Sequence, residues 1–328
     1  MKTIQQEKLN NQVAELDVAT SENSIQESIA QIYIQILYAA ESVRVNENTL
    51  QVSIAQRDRG QELLNAGSIA KSDFAQLEAQ VSTDRYQLVT AQATLQDYKL
   101  QLKQLLELDG ENEMNIYLPA LSDENVLSPL PAKRDVYVSA LALRPEIEAS
   151  KLNVNASELG IDIAKSGYLP TVSLSAGIGT NHTSGSDFTF GEQVKNGWNN
   201  SIGLSVSVPI FNNRQTKSAV QKAKLQYETS MLSLLDEQKA LYKTIEGLWL
   251  DANSAQQRYA AANEKLKSTQ ISYNLISEQF NLGMKNTVEL LTEKSNLLQA
   301  QQEQLQAKYM AILNTQLLKF YQGDKLAL

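Results

Sequence analysis

Few residues in this chain have side chains that do chemistry. His182 is the only histidine, and there is no cysteine. One imidazole cannot complete a metal site or a Ser-His-Asp triad, so surface exposure in a polar loop is its ordinary reading. Without a thiol there is no disulfide and no thiolate–metal chemistry. The sequence carries no P-loop, no dinucleotide glycine fingerprint and no HExxH motif. What remains is charge at regular spacing. Gly67 is followed six residues on by Asp73, Gly283 is followed six residues on by Glu289, and Lys285 precedes Glu289 by four. A lysine and a glutamate four apart can pair along one helix for about 0.2–0.5 kcal/mol. The plainer alternative is solvated surface charge, since an exposed pair contributes only about 0–1 kcal/mol. The expectation is a protein with no catalytic residue, no cofactor and no metal, hence not an enzyme.

The elements that position these residues are legible from proline placement. All six prolines, from Pro119 to Pro209, fall in the middle of the 328 residues. The two proline-free flanks are rich in Gln, Ala, Leu, Glu and Lys and read as long helices. In the first flank Phe74, Val81, Leu88, Leu95 and Leu102 recur every seven residues; Leu77, Ala91, Tyr98 and Leu105 fill the second heptad position, with Asp84 as its one polar break. In the last flank Leu291, Leu298, Leu305 and Ile312 repeat the spacing. Such a pattern packs helices side by side. Tyr33, Trp249, Phe280 and Tyr321 are packing residues on this reading.

Each flank breaks at a glycine: Ala66, Gly67, Ser68 in one and Leu282, Gly283, Met284 in the other. A left-handed glycine cap followed by a tight turn makes each flank a helical hairpin. The helix from Asn213 to Phe280 alone would be on the order of 100 Å long at 1.5 Å per residue. A shift of 216 residues lays one flank on the other, placing Tyr33 on Trp249, Leu50 on Leu266, Gly67 on Gly283, Asp73 on Glu289 and Leu102 on Leu318. That is the signature of an internal duplication.

The middle contains an irregular stretch, a short helix beginning near Lys133, and a helix opened by Arg144, Pro145 and Glu146, with proline in its first position and acids at the positive end of its dipole. Two runs then alternate without error. In 171–179 Val172, Leu174, Ala176 and Ile178 are apolar; in 201–210 Ile202, Leu204, Val206, Val208 and Ile210 are. Each has about the 9–10 residues of a transmembrane β-strand, and the connection is polar with Phe188, Phe190 and Trp198, as in an extracellular hairpin with an aromatic girdle. A soluble hairpin would alternate too. An isolated one is barely stable in water, however, and no other run here can pair with it, so its partners must lie in other chains. The net charge of −8 argues against a nucleic-acid partner.

Three segments in order, Leu143 to Ala149 (Leu-Arg-Pro-Glu-Ile-Glu-Ala), Ala164 to Pro170 (Ala-Lys-Ser-Gly-Tyr-Leu-Pro) and Val208 to Asn212 (Val-Pro-Ile-Phe-Asn), together with the paired glycine turns, resemble the TolC-like outer-membrane efflux proteins. The resemblance covers the whole chain. It implies a mainly α protomer of elongated long-helix hairpins with one transmembrane-type β-hairpin given to an intermolecular barrel. The division is a first helical hairpin over 1–110, an equatorial connection over 111–143, a helix over 144–167, the β-hairpin over 168–211, a second helical hairpin over 212–322 and a tail over 323–328. It further implies a homotrimeric export duct in outer-membrane lipid that extends into the periplasm. Its turns Ala66–Ser68 and Leu282–Met284 would dock a periplasmic adaptor, itself joined to an inner-membrane pump. Asp73, Lys285 and Glu289 match positions that close the tip in that family, although Lys285 stands where arginine is typical and Thr292 where a second acid often occurs. The 216-residue shift maps Met1 onto Lys217, so the family's signal peptide, first helix and first two strands are expected to be missing. Three such chains would supply six strands, fewer than the eight of the smallest outer-membrane barrels. An adaptor protein also carries a long helical hairpin, but flanks it with strand-rich domains; a soluble coiled-coil scaffold has no use for the two alternating strands.

Overall fold

The computed structural model describes residues 1–108, 116–117, 119, 126–185 and 187–326. Helix α1 runs over Lys2–Asn65 and α2 over Lys71–Leu105, followed by α3 at Lys133–Leu143 and α4 at Pro145–Lys165. The strands are β1, Thr171–Gly179, and β2, Asn199–Ser207, with the short helix α5, Phe190–Asn196, between them; α6, Gln215–Asn281, and α7, Thr287–Gln322, close the chain. The chain is thus mainly helical, with α1 and α6 at 64 and 67 residues. At 1.5 Å per residue each measures about 100 Å. Among the described residues no helix is long and apolar enough to cross a membrane. Part of the expected equatorial connection, 109–115, 118 and 120–125, lies outside the described residues, as do Ala327 and Leu328 of the expected tail.

The chain forms two compact units. The first comprises Met1–Leu16 and Glu148–Glu237. In it the start of α1 packs on α4, with Gln6 Nε2 donating to the Ala156 carbonyl at 2.9 Å and Lys2 paired with Asp162. Ser157 on α4 and Ser230 on α6 share a hydrogen bond of 2.8 Å. The unit's β-hairpin is antiparallel, with Val172 opposite Val206, Leu174 opposite Leu204, and Ser173 opposite Ser205. Because successive side chains point to opposite faces, this register puts the apolar residues on one face, with Asn200 opposite Ile178 at its end, and the serines and glycines with Thr171 and Asn199 on the other. One expectation is corrected here. The second strand was expected to run from Ser201 to Ile210, but β2 covers Asn199–Ser207, so Val208 and Ile210 lie outside it. The last pair is Thr171 with Ser207. Pro170 and Pro209 lie just beyond, and proline has no N–H to extend a ladder.

The second unit comprises Asp17–Ile147 and Gln238–Leu328. Its core falls into three clusters. One, with α3, holds Val136, Ala140, Ile245, Leu318 and Tyr321; a second centres on Ile34, Leu37, Tyr259, Ile312 and Leu317; the third, towards the turns, holds Leu63, Leu77, Tyr273, Phe280, Leu290 and Leu297. Burial on α7 differs from the heptad reading: Leu290 and Leu297 are buried, whereas Leu291, Leu298 and Leu305 are half-buried. The helix packs on its hairpin partner and on the other hairpin at once, so its apolar stripe is broader than a two-helix seam. Tyr33, Trp249, Phe280 and Tyr321 all serve packing. The Tyr33 hydroxyl donates to the Tyr117 carbonyl at 2.8 Å, and the Trp249 indole N–H to that of Pro131 at 3.0 Å.

Candidate functional site

The two interhelix turns are built alike, atom for atom along the backbone. At the end of α1 the Gly67 N–H donates to the Leu64 carbonyl at 2.9 Å and the Ser68 N–H to that of Leu63 at 2.8 Å. At the end of α6 the Gly283 N–H donates to Phe280 at 2.9 Å and the Met284 N–H to Gln279 at 2.8 Å. This is the Schellman pattern, which needs a left-handed residue at the glycine; φ is 73° at Gly67 and 75° at Gly283. The next helix starts three residues later, at N-cap Ala70 and N-cap Asn286.

That start explains the spacing of the two acids. Six residues past the glycine is the third position of the new helix, where a side chain can reach back to the N-cap N–H. Asp73 Oδ2 accepts from the Ala70 N–H at 3.3 Å, and Glu289 Oε2 accepts from the Asn286 N–H at 3.2 Å. The second cap is complete, because Asn286 Oδ1 accepts from the Glu289 N–H at 2.9 Å. Lys285 Nζ lies 2.5 Å from Glu289 Oε1, so the pair forms within one hairpin. The Lys285 ammonium and the Asn286 N–H hold the Glu289 carboxyl below its ordinary value of 4.5. Lys285 thus pairs with Glu289 and not with Asp73. Leu282 and Met284 stand exposed on the turn, 75% and 71% accessible.

Behind the turns lies a buried polar layer that the sequence did not disclose. Lys294 on α7, Asp84 on α2 and Ser53 on α1 are each at most 4% exposed and are joined by an ion pair and hydrogen bonds. Gln80 adds a hydrogen bond of 2.9 Å to Asp84, and Gln56 on α1 one of 2.8 Å to the Tyr273 hydroxyl on α6. All four long helices are tied at this level. Burial pushes the Lys294 ammonium below its ordinary value, with Asp84 opposing that shift. The available signal was Asp84 interrupting a heptad; no pattern on α7 announced its partner.

The Arg-Pro-Glu segment has a similar explanation. Pro145 is the first residue of α4, and the Arg144 guanidinium donates to Glu27 at 2.9 Å and Glu146 at 2.8 Å while lying 4.1 Å from the Tyr321 ring centre. Burial and the charge of Glu27 push the Tyr321 hydroxyl up to about 12.

At the β-hairpin, Val172, Leu174, Ile178, Ile202, Leu204 and Val206 form one apolar face, every member at least 62% exposed. The loop between the strands is organised around Gln193, whose side-chain oxygen Oε1 accepts from the Thr183 N–H at 2.8 Å and lies 3.0 Å from His182 Nδ1. Phe188, Phe190 and Trp198 are exposed there. His182 also meets the Phe190 ring edge-on, at 5.3 Å between centroids. Ser186 lies outside the described residues.

A long-helix chain with one apolar-faced β-hairpin matches known proteins. Residues 136–323 match the family model described as outer membrane efflux protein. The outer membrane protein TolC of Escherichia coli is 24% identical over 315 residues, which cover 92% of this chain and 62% of that protein. The outer membrane efflux protein BepC of Brucella suis is 24% identical over 294 residues, 89% and 61%. The chain therefore spans about six-tenths of the length of these curated relatives. Among solved structures, the outer-membrane channel OprN superposes with a TM-score of 0.81 at 18% identity, over 98% of this chain and 70% of that one. VceC of Vibrio cholerae gives 0.78 at 17%, over 99% and 76%. The family match covers more than half of the chain, and the fold agrees with it throughout: this chain belongs to the outer membrane efflux protein family.

Proposed function

We propose that the protein is a protomer of an outer-membrane export duct, a passive conduit working as a homotrimer with a periplasmic adaptor and an inner-membrane pump. The observation that carries this is the β-hairpin. It has nine residues per strand, one face apolar but for Asn200 at its end and one of small and polar residues, mostly serine and glycine, and among the described residues no cover on either. Closing such strands with others in lipid satisfies both the exposed edges and the apolar face. The paired turns at Ala66–Ser68 and Leu282–Met284 are the adaptor-docking tip on this reading, and their exposed Leu282 and Met284 suit an apolar contact. Lys285, Glu289 and Asp73 line the gate, with Glu289 repeated by threefold symmetry into a ring that favours cations.

The membrane claim is tested in a Gram-negative host, with the protein produced behind a secretory leader. It should fractionate with the outer membrane. Leu204→Arg, mid-strand on the apolar face, should release it, at a cost of about 2–4 kcal/mol for a charge at mid-membrane. Ser205→Arg on the opposite face should leave it in place. A parent protein found in the soluble periplasmic fraction would sink the reading. In a conducting trimer, Lys285→Glu should raise single-channel conductance and Glu289→Ala lower cation selectivity; unchanged values for both would place the gate elsewhere.

A further inference from the structure

The two ends of the β-hairpin differ in charge. At the loop end Phe188, Phe190 and Trp198 are exposed, and Asp187 and Glu192 outnumber Lys195. At the helix end each leg of the hairpin carries an exposed aromatic ring and, beyond it, a cation. Tyr168 precedes β1 and Phe211 follows β2, 57% and 85% exposed. Lys165 lies three residues before Tyr168, and Arg214 three residues after Phe211. Lys217 is exposed in the first turn of α6. The legs are held together at this level, because the Thr216 hydroxyl donates to the Gly167 carbonyl at 3.3 Å. All three cations fall within two residues of that contact.

The charge is local. The chain as a whole carries −8, yet no acid occurs from 193 to 227, a stretch with five basic residues. The acid nearest to Lys165 on α4 is Asp162, which is already met by Lys2 as well as by Lys165. Among the described residues, Arg214 and Lys217 have no acid within ion-pair distance. Arg214 also occupies a backbone position that suits glycine. Its φ is 62°, after 49° at Asn213, a left-handed conformation that is unfavourable for a residue with a Cβ. The sequence thus places an arginine where the backbone favours glycine.

We infer that Lys165, Arg214 and Lys217 bind the phosphate of an anionic phospholipid headgroup, with Tyr168 and Phe211 at the lipid boundary beside it. The inference rests on the reading of the protein as an outer-membrane duct and adds that the helix end of its hairpin selects among headgroups. Nine residues per strand at about 3.3 Å each cover roughly the hydrocarbon thickness of a bilayer. Groups just past the strand ends therefore lie at headgroup depth. Aromatic rings settle at that boundary, and a cation one step beyond meets phosphate oxygens in charge-assisted hydrogen bonds. The Arg214 guanidinium can offer two parallel N–H donors to one phosphate, while the lysines add charge without fixed geometry. The acids at the loop end would repel the same group.

Binding is read by native mass spectrometry of the full-length chain in detergent. The probes are short-chain phosphatidylglycerol, phosphatidylcholine of the same chain length, and inorganic phosphate. Phosphatidylglycerol should bind more tightly than phosphatidylcholine, whose choline cation offsets its phosphate, and added salt should shrink the difference. Lys165→Gln, Arg214→Gln and Lys217→Gln should each weaken phosphatidylglycerol binding about five-fold, the ratio for one basic residue at an anionic surface, and leave phosphatidylcholine binding unchanged. Arg214→Gly removes the charge and also relieves the backbone. It should weaken binding as Arg214→Gln does, with a thermal midpoint by circular dichroism no lower than the parent's. The triple variant Lys71→Gln, Arg85→Gln and Lys243→Gln makes the same charge change at exposed positions of the long helices and should keep the lipid preference. Equal binding of the two lipids, or a preference that survives all three substitutions at the hairpin, overturns the inference. Inorganic phosphate that displaces phosphatidylglycerol overturns it too, because the site would then take a free anion. Fractionation of the same protein separates this from the duct reading. Outer-membrane protein without lipid preference sinks the headgroup site alone, and lipid-selective protein in the soluble periplasmic fraction sinks the duct reading alone.

Discussion

The two helical hairpins share a backbone plan and differ in what they bury. Their turns carry the same hydrogen bonds at the same positions, offset by 216 residues, down to glycines at φ 73° and 75°. Yet Asp84 on α2 is buried with a charge partner while its counterpart Ala300 is buried without one, and Lys294 on α7 is buried while its counterpart Glu78 is exposed. After duplication, the parts fixed by backbone geometry stayed and the side chains diverged with their surroundings. Caps recur because any helix end leaves N–H and C=O groups to satisfy. A buried ion pair recurs only where both partners meet in the dark.

The largest effect should therefore separate Lys294 from Glu78. Lys294→Met leaves the Asp84 carboxylate buried with its ammonium removed, which costs about 3–5 kcal/mol, read as a fall in the urea unfolding midpoint. Glu78→Met changes an exposed residue and should stay within about 0.5 kcal/mol of the parent. The double variant Asp84→Leu with Lys294→Met removes both charges and should regain most of the loss, since a well-packed apolar pair can match a buried ion pair. Equal effects at 294 and 78 would break the contrast.

The glycines test the other half of the comparison. A Cβ at Gly67 or Gly283 would meet nothing within 4 Å, so alanine there is opposed by left-handed backbone strain alone, about 1–2 kcal/mol. Gly67→Ala and Gly283→Ala should thus cost the same, with asparagine milder at both because it tolerates that conformation. Unequal costs would mean that something besides backbone geometry distinguishes the turns.

What the sequence disclosed follows the same division. Proline, glycine and period-two alternation act through local backbone geometry, so the long helices, both turns, the start of α4 at Pro145 and β1 could be read directly, whereas the short α5 lay in what reads as a polar loop. The end of β2 could not, because Val208 and Ile210 keep the alternation; where β1 stops pairing is a fact about the partner strand. The acids past the glycines were legible in position but not in role: Asp73 and Glu289 cap their own helices, a task that six-residue spacing dictates before any gate does. The Asp84–Lys294 pair was hidden for a different reason. Its partners are 210 residues apart, and only tertiary packing selects which lysine on a long polar helix turns inward.

The smallest effect concerns those caps. The Glu289 carboxyl is held below 4.5, first by the Lys285 ammonium and then by the Asn286 N–H. Between its folded value and 4.5 the unfolded chain binds more protons than the folded one, so stability rises with pH across that window. The contribution is complete above 4.5 and is lost as pH falls through the folded value. Glu289→Gln should flatten this part of the acid-side stability profile while leaving the turn intact, because the amide oxygen still accepts from Asn286. Lys285→Met should move the carboxyl back towards 4.5, as followed by NMR titration, but not the whole way, since the Asn286 N–H remains. At the first turn Asp73 accepts from Ala70 with no lysine in Lys285's place, that position being Ile69. Ile69→Lys should therefore pair with Asp73 as Lys285 does with Glu289, a contact that nuclear Overhauser effects would show. If it does not, the electrostatics of the second cap depend on more than the one lysine four residues before the acid.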